Sequence, residues 1–161
     1  MAKKFIENIT IENAQLLGGS FKNFSGRPGK YNPPGRRTFC VIIPEESVDA
    51  LVEEGWNIKT LNPRDEEDDP RHYIQVRVNY GEISPNIYIV TGKKKTQLCN
   101  ETVGELDFVE MANVDLIIRP YIWDRDGETG VTAYVKTMYV TVVEDQFASK
   151  YNYDDEEVPF N

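Results

Sequence analysis

The sequence predicts a mainly β fold, an antiparallel barrel of five or six strands with one or two short helices and a disordered acidic C-terminal tail. Several segments alternate apolar and polar residues with the period of two expected of half-buried strands. Strands and helices do not alternate as a parallel sheet requires. The 161 residues suffice for one domain. We place this domain at residues 1–146 and the flexible tail at residues 147–161.

The N-terminal segment is predicted to form a bent strand followed by a long loop. Isoleucines recur in residues 5–17, which indicates a strand, and Asn13 marks the expected bend. Residues 18–37 are rich in Gly and Pro, which do not suit a regular element. We therefore expect a long connection between the first two strands.

A buried strand and a helix follow this loop. Residues 38–43 are almost continuously apolar, as in a buried strand. Pro44 then opens a helix, and Gly55 supplies its end. Residues 73–80 alternate strictly, so one face of this strand is apolar and the other polar. Trp56 and Phe108 are expected in the core.

The C-terminal half is predicted to end in a long hairpin. Residues 86–91 form another strand, and a short helix is expected at 101–106. Residues 114–123 and 131–143 read as two long strands that the turn sequence 124–130 connects.

This order of elements fits the oligonucleotide/oligosaccharide-binding barrel best, with the helix after Pro44 as an insertion. A β-sandwich is the competing architecture, because the number of strands alone does not separate the two.

The net charge of −9 is concentrated in two acidic segments, residues 62–71 and 144–161. The rest of the chain is close to neutral, so a nucleic-acid partner is not excluded. Cys40 and Cys99 are far apart in sequence and His72 is the one histidine, so we expect two buried thiols without a disulfide or zinc site. No catalytic constellation or phosphate loop is visible, so neither enzymatic activity nor a cofactor is predicted.

Membrane contact is also not expected. No apolar run approaches the roughly 18 residues of a membrane span, and the N-terminus lacks the apolar stretch of a signal peptide. We therefore expect a cytoplasmic protein.

The loop at residues 18–37 is the strongest candidate for binding nucleic acid. No acid occurs between Asn13 and Pro44, and aromatic residues are interleaved with bases. Bases contact phosphates, and aromatic rings stack on nucleobases without reading sequence. The alternative is that the rings fold back as a lid on the barrel. The candidate residues of the loop are Phe21, Lys22, Phe24, Arg27, Lys30, Tyr31, Arg36 and Arg37.

Three predicted strands present Arg or Lys beside an aromatic residue on one face, which makes a stacking platform. Cross-strand aromatic pairs also stabilise sheets, so packing is the alternative role. Three lysines in a turn would extend the phosphate path or form a solvated tip. These candidates are Arg71, Tyr73, Arg77, Lys93, Lys94, Lys95, Arg119, Tyr121, Trp123, Tyr134 and Lys136.

The tail joins four consecutive carboxylates to an apolar end, which indicates a hook for a partner protein or a solubilising tail. The proposed partner-binding residues are Asp154, Asp155, Glu156, Glu157, Val158, Pro159 and Phe160. This segment resembles the acidic tip of bacterial and phage single-stranded DNA-binding proteins, in which a run of acids ends in Ile-Pro-Phe or another aromatic residue. Here Val158 replaces Ile, and Asn161 follows the Phe. Residues 26–44 and 114–121 also resemble phage proteins of this kind.

The resemblance implies a protein that coats and protects unwound DNA with little sequence specificity during phage replication and recombination, in the host cell cytoplasm. It implies that the acidic tail recruits polymerase, helicase or primase and competes with DNA for a basic groove. The charge leaves one alternative, an acidic interaction module such as a DNA-mimic inhibitor or a structural phage protein. Sheet edges and the tail would both support a homodimer, and the sequence leaves the oligomeric state open.

Overall fold

The computed structural model describes residues 6–63, 67, 69–81 and 83–143, most of which lie in or beside one sheet of nine strands. One α-helix, α1 (Glu45–Glu54), and two short 3₁₀ helices, Gly19–Phe21 and Val103–Asp107, complete the secondary structure of this part of the chain. The strands are β1 (Ile9–Ile11), β2 (Lys22–Asn23), β3 (Arg37–Ile43), β4 (Ile58–Leu61), β5 (Arg71–Val78), β6 (Asn86–Thr91), β7 (Lys94–Leu98), β8 (Met111–Arg125) and β9 (Glu128–Val142).

The hairpin of β8 and β9 is the centre of the sheet and confirms the predicted pair of long strands. Asp126 and Gly127 have φ values of 54° and 84° in the turn. Asp and Gly tolerate this left-handed conformation, which the tightest hairpin turns require. The other edge of β9 pairs in parallel with β5 and then with β6.

The first segment closes the sheet. The Ala14 amide donates to the Val114 carbonyl of β8 at 2.7 Å, whereas Gln15 accepts a hydrogen bond from Ile42 of β3 at 2.9 Å. Between these contacts Asn13 has a φ of 52°, so the predicted bend is confirmed. The first segment therefore bridges β8 and β3, so the sheet of β8, β9, β5 and β3 closes into a barrel.

The mainly β fold is confirmed, and its sheet has more strands than the five or six expected. The additional strands β2, β4 and β7 are short, and Lys94–Leu98 is polar at four of its five positions, so the sequence carries little alternation there. The pairing is also not purely antiparallel, because β9 runs parallel to β5 and β6. The short helix at 101–106 is found as the 3₁₀ helix Val103–Asp107.

The core lies inside this sheet and under α1. Ile74, Val76 and Val78 of β5 are buried, as their alternation predicts. Gly55 ends α1 in the left-handed conformation, with a φ of 107°. Trp56 is buried, as expected. The prediction for Phe108 is wrong: it follows the 3₁₀ helix Val103–Asp107 and is 81% exposed, because other side chains of that helix fill the core.

The described residues contain no group of His, Cys, Asp and Glu that could hold a metal ion. Neither cysteine is paired. Cys40 is buried, and burial raises its pKa to about 11, whereas Cys99 is exposed and the expectation of a second buried thiol is wrong. Within the described part of the chain, no helix is long and apolar enough to span a membrane.

Candidate nucleic-acid interface

A row of polar and aromatic side chains crosses the outer face of the sheet. Arg77 of β5 pairs in register with Tyr134 of β9, and Tyr134 pairs with Arg119 of β8. The neighbours of each residue along its strand, such as Ala133 and Val135, are buried in the core. Since side chains alternate across a strand, the row points away from the core.

Tyr134 lies at the centre of this row. The Arg119 guanidinium carbon lies 5.1 Å from the centroid of the Tyr134 ring, within the range of a cation–π contact. The Tyr121 ring meets Tyr134 edge to face, with centroids 6.1 Å apart and an interplanar angle of 90°. Tyr121 is 53% exposed, so it is available to stack on a ligand.

Trp123 continues this surface toward the turn of the hairpin. It pairs across the strands with Gly130, and a Cβ atom added to Gly130 would lie 2.3 Å from Cζ2 of the indole. The missing side chain of Gly130 therefore leaves the space that the Trp123 ring occupies.

These rings line the first of two adjoining grooves, which we call the aromatic groove. Its volume is about 830 Å³. The carboxylates Asp124, Asp126 and Glu128 lie at the turn of the hairpin. Because they repel negative charge, a polyanionic ligand would bind at the end of the groove away from the turn. The other side chains that line this groove include Arg77, Tyr121, Trp123, Thr132 and Tyr134.

The second groove, which we call the arginine groove, has a volume of about 400 Å³. It shares Arg77 and Tyr134 with the aromatic groove, so the two form one path. None of its described lining residues is a carboxylate. Arg36, Arg37 and Arg77 supply positive charge, and Tyr80, Asn79 and Asn100 are among the remaining lining residues.

Arg37 is held in a fixed position in the arginine groove. Its guanidinium donates to the side-chain oxygen of Asn100 and, at 2.8 Å, to the Asn100 carbonyl. It also lies 6.0 Å from the centroid of the Tyr80 ring. The Tyr80 hydroxyl donates to the Leu98 carbonyl at 3.2 Å, and burial raises the pKa of Tyr80 to about 12, although the nearby Arg37 charge opposes this shift. The positive charge at this end of the path is therefore preorganised.

Asp107 anchors the loop at residues 18–37 to the rest of the fold. Its carboxylate, 3% exposed, accepts hydrogen bonds from the backbone amides of Phe24 and Ser25 at 2.8 and 2.9 Å. It also accepts from the Ser25 hydroxyl at 2.6 Å, and Arg27 Nε lies 4.0 Å away. Hydrogen bonds to a carboxylate are stronger than neutral ones, so this contact fixes the start of the loop.

The two sides of the loop are tied together by Asn32, whose amide donates to the carbonyls of Arg27 and Arg36 at 2.8 and 3.1 Å. The tip of the loop projects into solvent. Tyr31 is 86% exposed, and Lys30 Nζ lies 5.4 Å from its ring centroid. The loop is thus a braced element whose tip presents one aromatic ring and one cation.

The structure contradicts the prediction that Phe24 stacks on bases. Phe24 is 0% exposed and stacks on Phe39 in the core, with centroids 4.9 Å apart. The lid alternative therefore applies to Phe24, because the backbone that carries it is pulled inward by Asp107. Phe21 instead meets Tyr73 edge to face on the outer side of β5, with centroids 5.5 Å apart.

Comparison with known proteins identifies the family. The family model described as "Putative phage ssDNA-binding domain" matches residues 1–160. The chain belongs to this family. The match agrees with the resemblance seen in the acidic tip and in residues 26–44 and 114–121, and no match was found among curated proteins.

Solved structures support the same family fold. The chain is similar to the single-stranded DNA-binding protein from bacteriophage Enc34, with a TM-score of 0.53 and 13% identity over 93% of this chain and 88% of that chain. It is also similar to the structure of that phage protein in complex with ssDNA, with a TM-score of 0.53 and 14% identity over 87% of this chain and 89% of that one.

The remaining candidates from the sequence lie outside the path formed by the two grooves. Arg71 is exposed at the start of β5, and Lys136 is exposed on β9. Lys22 lines a separate cavity beside residues 13–18. The turn lysines Lys93, Lys94 and Lys95 lie at the hairpin of β6 and β7. The predicted partner-binding residues Asp154, Asp155, Glu156, Glu157, Val158, Pro159 and Phe160 lie outside the described residues.

Sequence reasoning missed Tyr80, Asn100, Asp107 and Gly130. Asn100 is 63 positions from Arg37, and Asp107 is 83 from Phe24, so no local pattern connects them. Gly130 could be found from the sequence, because it faces Trp123 across a hairpin that the sequence does predict.

Proposed function

We propose that this protein binds single-stranded DNA along the path formed by the aromatic and arginine grooves. The observation that carries the proposal is the row of Arg77, Tyr134 and Arg119, which joins the grooves and alternates cation, ring and cation. Membership of the phage family and the fold shared with the Enc34 protein support the same ligand. The chain acts as a binding protein rather than an enzyme.

The chemistry of the path favours coating over sequence recognition. Aromatic rings stack on any base, at about 1–3 kcal/mol per base, and guanidinium groups bind phosphates whatever the sequence. The protein should therefore bind with little sequence preference and lose affinity as salt rises. Such a protein protects unwound DNA during phage replication and recombination, in the host cytoplasm.

Tryptophan fluorescence tests this proposal directly. Trp123 lines the aromatic groove and Trp56 is buried, so quenching by oligo-dT should report on the groove. We expect saturable quenching that weakens as salt rises and that Trp123→Phe abolishes. A flat titration at low salt, together with no shift of the DNA in a gel, would contradict the proposal.

The acidic tail at residues 147–161 is proposed to recruit replication proteins such as polymerase, helicase or primase, and to compete with DNA for the grooves. Its four consecutive carboxylates and terminal Val158-Pro159-Phe160 support this role. Deletion of residues 152–161 should leave DNA affinity equal or higher, whereas a clear loss of affinity would contradict competition. Light scattering of the intact chain would decide whether it forms the homodimer that its sheet edges and tail would support.

An acidic interaction module is the second candidate, and the net charge of −9 favours it. A DNA mimic or structural phage protein of this kind requires continuous negative surface. The arginine groove, whose described lining has no carboxylate, argues for DNA instead. A protein that bound neither single-stranded DNA nor RNA at low salt would favour the acidic module.

A further inference from the structure

We infer that the DNA path continues along β9 to a second stacking platform, formed by Tyr88, Tyr139 and Lys95. This inference rests on the proposed function and extends it. It assigns nucleobase binding to two tyrosines at the far end of the barrel from the hairpin turn.

The platform is an ordered stack of two rings and a cation. Tyr88 of β6 and Tyr139 of β9 are paired in register, and their rings are nearly parallel, with centroids 4.9 Å apart and an interplanar angle of 14°. Lys95 Nζ lies 4.7 Å from the centroid of Tyr88 and 5.7 Å from that of Tyr139. Both tyrosines are partly exposed, so the stack is reachable from solvent.

A β-bulge places this platform on the same face as the aromatic groove. Tyr134 and Tyr139 are five positions apart, and in a regular strand an odd separation points two side chains to opposite faces. In β9 the register passes from Val135 opposite Ile118 to Thr137 opposite Ile117, which leaves Lys136 as an extra residue. The alternation is therefore reset between the two tyrosines, and both point away from the core.

The burial pattern along β9 shows this change in the alternation of inward and outward side chains. Before the bulge the core residues are Val131, Ala133 and Val135, whereas beyond it they are Met138 and Val140. The outer face thus carries Tyr134 on one side of the bulge and Tyr139 on the other. Lys136 is exposed between them, which adds a cation to the stretch that a phosphate backbone would cross.

The two ends of this face repeat the same chemistry. Each has a tyrosine from β9, a second tyrosine from a neighbouring strand, and a basic side chain over the β9 ring: Arg119 over Tyr134 and Lys95 over Tyr139. Five residues of strand span about 16 Å, which at about 3.4 Å per stacked nucleotide corresponds to at most about five nucleotides. One strand of DNA can therefore occupy both ends.

One carboxylate lies beside this platform, and the protein itself donates hydrogen bonds to it. Asp115 of β8 pairs with Tyr139, and its carboxylate accepts hydrogen bonds from the Asn13 amide at 3.0 Å and the Asn113 side chain at 3.1 Å. Its charge is thus partly satisfied by the protein. A sequence-tolerant aromatic and basic surface fits nucleobases and phosphates better than it fits an acidic or apolar protein partner.

The test compares short and long DNA on the double variant Tyr88→Ala/Tyr139→Ala. Oligo-dT of 3 nucleotides, about 10 Å long at this stacked spacing, fits one end of the face, whereas oligo-dT of 20 nucleotides reaches both. We expect the double variant to bind the long oligonucleotide roughly 5- to 150-fold more weakly, the loss expected for one stacked base, while affinity for the short one changes less than about two-fold. The variant Tyr88→Phe/Tyr139→Phe retains the rings and should bind both lengths like the wild type.

Lys95→Ala provides a second measurement that does not disturb the ring pair. It should reduce the slope of log affinity against log salt by about 0.7 for the long oligonucleotide and leave the slope for the short one unchanged. If the double alanine variant retains its fold and its affinity for the long DNA, or if Lys95→Ala leaves the long-DNA slope unchanged, the second platform is refuted. A wild-type protein that binds neither length would instead refute the proposed function itself.

Discussion

Gly130 lies against the indole of Trp123, so its replacement by alanine tests whether the position of that ring determines DNA affinity. The new Cβ would lie 2.3 Å from Cζ2 and 2.6 Å from Cε2, closer than carbon atoms approach. The backbone of Gly130 does not have the positive φ that would itself strain alanine. Trp123 must therefore move. Overpacking of this kind costs about 1–3 kcal/mol, and we expect the lower part of this range because the ring borders solvent.

The expected loss of DNA affinity follows from the base that would stack on Trp123. Loss of one stacked base, at about 1–3 kcal/mol, corresponds to roughly 5- to 150-fold in Kd. Gly18→Ala is the matched control, because nothing lies within 4 Å of its added Cβ. We expect the Gly130→Ala variant to bind oligo-dT more weakly by this factor in fluorescence anisotropy, and the Gly18→Ala variant to bind like the wild type.

A double-variant cycle isolates the contact between the two residues. In a Trp123→Ala background the added Cβ meets no ring, so Gly130→Ala should then cost little further affinity. The reasoning is refuted if Gly130→Ala leaves the affinity unchanged in the wild-type background, or if it costs as much without Trp123 as with it.

Three further predictions concern the loop, the arginine groove and pH. Asp107→Asn should lower the melting temperature by roughly 2–12 °C, because a buried acceptor of three hydrogen bonds becomes partly a donor. Asp49→Asn, on the exposed face of α1, should leave the melting temperature unchanged, and equal melting curves for the two variants would contradict the role of Asp107 as the anchor of the loop. Arg37→Lys should weaken DNA binding more than Arg36→Lys, because lysine lacks the paired donors to Asn100, and equal titrations would argue against preorganisation. Burial raises the pKa of Tyr80 from 10.0 to about 12, so its neutral form stabilises the fold below pH 10 and this contribution is lost as pH rises toward 12. Tyr80→Phe should show a shallower loss of stability over that interval in denaturant titrations, and an unchanged slope would contradict the assignment.

The sequence predicts the elements whose signals are local. Residues 73–80 alternate strictly, and in β5 (Arg71–Val78) the structure buries the apolar side chains Ile74, Val76 and Val78. The turn at Asp126 and Gly127 determines the hairpin, because these residues tolerate the positive φ values found there. These features require no knowledge of distant residues, so they could be predicted with their correct faces.

The candidate site depends partly on distant contacts that the sequence does not show. Phe24 and Tyr31 have similar polar surroundings in the same loop, yet one is buried and the other is 86% exposed. The difference arises from Asp107, which binds the backbone of Phe24 from a distant 3₁₀ helix. No local pattern separates the two aromatics.

The bulge in β9 is partly predictable from the sequence. Its sequence signal is a change of parity in the apolar positions, from Val131, Ala133 and Val135 to Met138 and Val140. The strand predicted at residues 131–143 is found at Glu128–Val142, with a β-bulge that a regular strand does not have. The shared face of Tyr134 and Tyr139 therefore became visible only with the register of the sheet.

The affinity of Tyr134→Ala for single-stranded DNA tests the central claim most directly, because Tyr134 lines both grooves. Tyr134→Phe is its control, since it retains the ring that stacks and that Arg119 covers. At low salt we predict that the alanine variant binds oligo-dT roughly 5- to 150-fold more weakly than the wild type and that the phenylalanine variant binds like it. A folded alanine variant with wild-type affinity would contradict the account, because the DNA could not then follow the path through Arg77, Tyr134 and Arg119.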